Sequence, residues 1–225
     1  MQSNLLRSDH DLGPIYGITD PFLLPGEQLF KAVEQALSAG IKTIQLRDKT
    51  ADSQTLLESA RELVMLCNAY DARCIINDRW DIALESGAHG VHLGQADGSV
   101  IEARARLGAE AIIGVTCHSS LELARLAQAE GASYVAFGRF FSSNTKPLAG
   151  AADIEVLRQA VAEIELPIIA IGGIRQDNMA PLVQAGATTL AVCHSLFGAP
   201  DVRAAAEQLL NTFRQSAFNS SNDTQ

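Results

Sequence analysis

The sequence predicts a single α/β domain built as a (β/α)8 TIM barrel. Three observations carry this. Eight short apolar runs alternate with eight stretches of helical period along the chain. The runs are continuous rather than alternating, as strands buried on both faces of a parallel sheet require. The chain has 225 residues, 47% of them apolar, which suits one barrel with a sizeable core. An open doubly wound sheet with extra strands ranks second, because eight units in this length match a barrel better.

The elements follow in order. The first strand is 15–19 (IYGIT). A helix over 26–39 comes next, with Leu29, Val33, Ala36 and Leu37 on one face and Gly40 at its end. A strand at 42–47 leads into a helix at 52–69, and a strand at 73–77 into a short helix at 79–87. The fourth unit is 90–94 and 99–108. The fifth is 111–116 and 119–131, whose helix opens on a serine cap. The sixth strand, 134–138, runs into an unusually polar loop before a helix at 151–164. The seventh unit is 167–173 and 175–186, and the eighth 188–193 and 201–213. The endings ESGA, AEGA and QAGA recur before strands four, six and eight, as one turn reused. The barrel is expected over residues 14–215, with a flexible segment at 1–13 and a flexible polar tail at 216–225.

Charge and composition narrow the function. A net charge of −9 supplies no basic excess to displace counterions, so no nucleic acid partner is expected. Four widely spaced cysteines without a CxxC pair argue against a zinc ribbon or disulfide framework. They fit a reducing, cytoplasmic setting. The first residues lack an apolar segment of signal-peptide type, and no apolar run is long enough to span a bilayer, so no membrane partner is expected either. The oligomeric state has no signature in the sequence.

In a barrel of this type chemistry collects at the C-terminal ends of the strands. There the chain carries Thr19 and Asp20; Gln45, Arg47 and Lys49; Asn77 and Asp78; His92, Gln95 and Asp97; Thr116 and His118. Strand six adds Arg139, Ser143, Asn144, Thr145 and Lys146; strand seven Gly172-Gly173; strand eight Cys193 and His194. Cations beside glycines that expose backbone suit phosphate oxygens. Asp78 and Asp97 on adjacent strands suit a Mg²⁺ held by carboxylates and substrate phosphates. The expected partner is a small phosphorylated substrate, a diphosphate bridged by metal.

Each feature alone has a plainer explanation. Arg47 and Lys49 could pair with Asp48 or Asp20. Asn77-Asp78 could cap the helix beginning near Arg79, and Asp97 the one beginning near Ser99. Gly172-Gly173 could be only a tight turn. His92 and His118 read as structural or orienting groups rather than metal ligands. Their concentration on one rim is what singles them out. No Ser-His-Asp or Cys-His arrangement stands among them.

At this point the motifs resemble a known family. QLRDK (45–49), IINDRWDIALESGAHGVHLGQAD (75–97), GVTCH (114–118), YVAFGRFFSSNTKP (134–147) and IAIGGI (169–174) are similar to thiamine-phosphate synthases, from about residue 16 to residue 200. QLRDK alone is weak, but the ordered set is specific. The resemblance implies a (β/α)8 barrel that joins 4-amino-2-methyl-5-hydroxymethylpyrimidine diphosphate to 4-methyl-5-(2-phosphoethyl)thiazole or its carboxylated form. It implies that Gln45, Leu46, Arg47, Asp48, Lys49, Asn77, Thr116 and Lys146 bind the pyrimidine diphosphate. It implies that Asp78 and Asp97 hold Mg²⁺. Ser143, Asn144, Thr145, Gly173, Cys193 and His194 would take the thiazole phosphate. Arg47, Lys49, Thr116 and Lys146 would act in catalysis by stabilising the departing diphosphate, in a reaction where C–O cleavage runs ahead of C–N bonding.

The chain departs from the family pattern in three places. Gly138-Arg139 stands where Gly-Pro is common, Ser143 where Thr is common, and His194 where Ser is common. Phe140 and Phe141 are expected to anchor the loop base rather than touch substrate. Two other readings share the barrel. A thiazole-aromatising isomerase would not need the diphosphate and metal groups. A non-catalytic binding barrel would not need a leaving-group lysine.

Overall fold

The computed structural model describes residues 11–142 and 152–222. The chain alternates β1 (Ile15–Ile18), α1 (Gln28–Ser38), β2 (Thr43–Leu46), α2 (Ser53–Ala69), β3 (Arg73–Asn77), α3 (Trp80–Ser86), β4 (Gly90–Leu93) and α4 (Val100–Leu107). It continues with β5 (Ile112–His118), α5 (Leu121–Ala129), β6 (Tyr134–Phe137), α6 (Ile154–Glu163), β7 (Ile168–Ile171), α7 (Ala180–Gln184), β8 (Thr189–Val192), α8 (His194–Phe197) and α9 (Val202–Asn222). The strands pair in chain order, all parallel, and β8 returns to β1 with Tyr16 opposite Ala191. The barrel is closed, as expected, and the open sheet is set aside.

Strand residues alternate between two cores because successive side chains point to opposite faces. Ile15, Ile44, Leu46, Ile76, Val91 and Val135 face outward and pack under the helices. Tyr16, Ile75, Ile112, Tyr134, Ile169 and Ala191 face inward and fill the barrel. Both sets are at most a few per cent exposed, and each buried isoleucine, leucine or valine among them contributes about 1.5–3 kcal/mol relative to exposure. Space inside is tight. A Cβ at Gly114 would stand 1.9 Å from the Tyr134 ring, so glycine there is the condition for a tyrosine across from it.

The helix starts follow capping chemistry. Asp52, Ser99, Ser120 and Asp153 each accept a hydrogen bond from a first-turn N–H of the helix that follows. At the N-terminal end of the barrel, Arg104 donates to the carbonyls of Gly108, Ala109, Ala111 and Gly131 and to Ser133 Oγ.

Three boundaries differ from expectation. The helix expected over 175–186 is only α7. Residues 175–179 are held in turns by Asn178, whose side chain accepts from Arg175 N and donates to Gly173 O, and a proline sits at the first helical positions. One turn of helix, α8, follows β8 directly. The last helix, expected to end at 213, runs to Asn222, so residues 216–222 of the expected loose tail are helical. Ser216 is buried and returns its hydroxyl to Thr212 O at 2.8 Å.

Candidate active site

Inward-facing side chains near the C-terminal ends of the strands open into a cavity of about 340 Å³. Strand alternation decides which residues reach it. Gln45, Asn77, His92 and Thr116 occupy inward registers of β2, β3, β4 and β5 and line it, as do Arg47, Lys49, Asp78, Asp97, Gly173, Cys193 and His194. Two of the expected pyrimidine-site residues stand apart. Leu46 is 2% exposed and belongs to the outer core. Asp48 builds the β2–α2 turn by accepting from Thr50 N, Thr50 Oγ1 and Ala51 N. Ser143, Asn144, Thr145 and Lys146 lie outside the described residues.

The plainer explanations for the acidic pair do not hold. The cap of α3 is Arg79, with no side-chain cap bond, and the cap of α4 is Ser99. Asp78 instead sits just past β3 with φ 64°, a left-handed conformation that Asp tolerates better than most residues. Its N–H bonds His92 O at 2.8 Å. Its carboxylate meets Lys49 Nζ at 2.7 Å. Asp97 folds back so that its Oδ2 accepts from Gly94 N at 3.0 Å. Burial pushes the Asp97 carboxyl above the ordinary range, and the hydrogen bond and charge of the neighbouring Asp78 add to this, while Lys49 opposes it. Two adjoining carboxylates, with Asp97 raised in part by the charge of its neighbour, form a donor set that fits a hard divalent cation. Among the described residues no third His, Cys, Asp or Glu joins them.

A second feature is buried deeper. Gln45 Nε2 donates to Tyr16 Oη at 2.9 Å, and Tyr16 Oη lies 3.1 Å from Tyr134 Oη. Tyr134 Oη lies 2.9 Å from His92 Nδ1, and His92 Nε2 lies 2.8 Å from Thr116 Oγ1. Gln45, Tyr16, Tyr134 and His92 are each at least nine-tenths buried. Burial pushes both tyrosine hydroxyls well above the usual range, so they keep their protons. His92 thus has the orienting surroundings expected of it. Tyr16 and Tyr134 were not singled out from sequence. Their only signal was a tyrosine at an inward register of an apolar strand.

Opposite the acidic pair, the chain after β6 is locked to the chain after β7. Phe140 N and Phe141 N donate to Ile171 O and Gly172 O. A Cβ on Gly172 would stand 2.2 Å from Arg139 Cβ, and one on Gly173 would stand 2.3 Å from Ser142 O. Both glycines have positive φ. The pair is therefore more than a tight turn: it makes room for the loop base. Arg139 lines the cavity beside them, while Phe140 packs in the outer core. Beyond the glycines, Ser195 Oγ donates to Ile174 O at 2.8 Å, tying α8 to the end of β7.

Comparison with known proteins gives one consistent result. A family model described as thiamine monophosphate synthase matches residues 15–196. A protein of Saccharophagus degradans named thiamine-phosphate synthase is 51% identical over 202 residues, covering 89% of this chain and 93% of that protein. One of the same name from Alcanivorax borkumensis is 48% identical over 208 residues, covering 91% and 96%. A solved structure of thiamine phosphate pyrophosphorylase from Pyrococcus furiosus superposes with a TM-score of 0.82 at 34% identity, covering 90% and 96%.

Proposed function

The chain belongs to the thiamine monophosphate synthase family, and we propose that it joins the pyrimidine diphosphate to the thiazole phosphate at this cavity, releasing thiamine phosphate and diphosphate. It is a transferase. The observation that carries the reading is the meeting of Lys49, Asp78 and Asp97 at the mouth of a cavity with Gln45, Asn77 and Thr116 behind them.

The division of labour follows from the chemistry. Loss of diphosphate concentrates negative charge on oxygens, and no strong nucleophile or base is needed. Arg47 and Lys49 face that charge from the β2 end, with Lys146 as the third cation. Gln45, Asn77 and Thr116 hold and orient the pyrimidine half. Leu46 and Asp48 contribute backbone groups and loop shape. Asp78 and Asp97 would hold Mg²⁺, which when bound offsets charge on the diphosphate oxygens. The turn at Gly173, with Cys193, His194 and the segment Ser143-Asn144-Thr145, takes the thiazole phosphate, largely through backbone N–H groups. Holding the thiazole nitrogen in line with the breaking bond supplies the rest.

No helix among the described residues is long and apolar enough to cross a membrane. All four cysteines are free and three are buried, which supports a cytoplasmic setting.

The test is a coupling assay with both substrates, with and without Mg²⁺. Thiamine phosphate and diphosphate should appear in equal amounts and only with the metal. Asp97→Ala or Lys146→Ala should lower turnover about 100-fold or more while thiazole phosphate binding changes little. Isomerisation of the thiazole without coupling would instead select the isomerase reading.

A further inference from the structure

The buried chain from Gln45 to Thr116 has a direction. An amide nitrogen can only donate, so Tyr16 Oη receives a hydrogen from Gln45 Nε2. Either tyrosine could donate across their 3.1 Å contact, but among the described residues the buried Tyr16 hydrogen meets an acceptor only if it goes to Tyr134 Oη. Tyr134 in turn donates to His92 Nδ1. A neutral imidazole that accepts at Nδ1 carries its proton at Nε2, so His92 donates to Thr116 Oγ1. The hydroxyl hydrogen of Thr116 is then left over. At the other end Gln45 Oε1 accepts no hydrogen bond among the described residues, although Gln45 is only 3% exposed and lines the cavity.

We propose that Tyr16, Tyr134 and His92 are positioning residues that carry one hydrogen-bond polarity across the barrel, so that Gln45 presents an acceptor and Thr116 a donor to the bound substrate. This rests on the reading above, in which the substrate brings an amino group and anionic diphosphate oxygens. The Gln45 carbonyl accepts from the amino group. The Thr116 hydroxyl donates to a diphosphate oxygen, where negative charge grows as the C–O bond breaks. Reversed polarity would turn the Thr116 hydrogen toward His92 and leave only lone pairs facing that oxygen. The glycine at 114, which makes room for the Tyr134 ring, is part of the same device.

The first measurement needs no substrate. Nitrogen-15 spectra of histidine-labelled protein, with His92 assigned by a His92→Gln variant, should show the Nε2–H form. An Nδ1–H or doubly protonated ring overturns the proposal. The second measurement is kinetic. Tyr134→Phe removes the link that sets the His92 tautomer. It should lower kcat about ten- to hundredfold, the size of one hydrogen bond to a charged group, with KM for the thiazole phosphate unchanged.

Adding Thr116→Val to Tyr134→Phe should then produce much less than the product of the two single losses. Independent, multiplying losses would refute it, as would a Tyr134→Phe enzyme with normal kcat. A wild-type protein that shows the Nε2–H ring but no coupling would sink the functional reading and leave the polarity standing.

Discussion

Gly94 shows how one missing side chain sets the place of a carboxylate proposed to hold metal. A Cβ there would stand 2.4 Å from Asp97 Oδ2, in the space where that carboxylate accepts from Gly94 N. Gly94→Ala should therefore displace Asp97. The Mg²⁺ concentration for half-maximal rate should rise about tenfold or more, as for other groups that orient a metal ligand, with the melting temperature nearly unchanged. An unaltered Mg²⁺ requirement would show that Asp97 does not depend on this contact. At this scale the sequence was legible where polar residues break an apolar run: Asn77-Asp78 and Asp97 stand out after their strands. It was silent on Tyr16 and Tyr134, because a tyrosine inside an apolar strand reads as core until the register shows what its hydroxyl meets.

The strand β4 illustrates the element scale, since its two ends do different work. His92 near its C-terminal end faces the cavity. His89, just before it, accepts from Cys74 N through Nδ1 at 3.0 Å and receives Ile112 N at its carbonyl, joining β3 to β5. Burial, with the charge of Arg73, lowers the His89 pKa from 6.5. The unfolded chain then takes up a proton at a pH where the folded chain does not, so stability falls as pH drops below about 6.5. His89→Asn keeps an acceptor for Cys74 N without the titration. It should flatten the decline of the urea midpoint between about pH 6.5 and about pH 5, and an unchanged slope would count against the assignment. Element identity was legible from apolar period, but helix ends were not. The start of α7 is delayed by turns that Asn178 closes onto Gly173 O and Arg175 N, and the polar 216–222 stretch continues α9 past a buried Ser216.

At the scale of the whole molecule, closure ties the two ends of the chain together. β8 pairs with β1, and α9 packs on α1, α7 and α8 as well as on β1. Val202, Ala206, Leu209 and Leu210 of α9 are buried in the outer core. A chain ending before Val202 should lose cooperative thermal unfolding, while one ending after Ala217 should keep it, as circular dichroism melting would show. Retained cooperativity in the shorter chain would mean that the barrel closes without its last helix. The eightfold alternation made the closed barrel readable in advance, whereas the reach of α9 was hidden by its serines and asparagines. The lock between the β6 and β7 loops has a further consequence. Ala152 N donates to Arg139 O at 2.8 Å, which holds the chain after β6 and the chain before α6 together at one neck. Because backbone groups hold that neck, every strand keeps its partner whatever side chains stand beyond it, so substrate preference can drift there, around a retained Lys146, without cost to the scaffold.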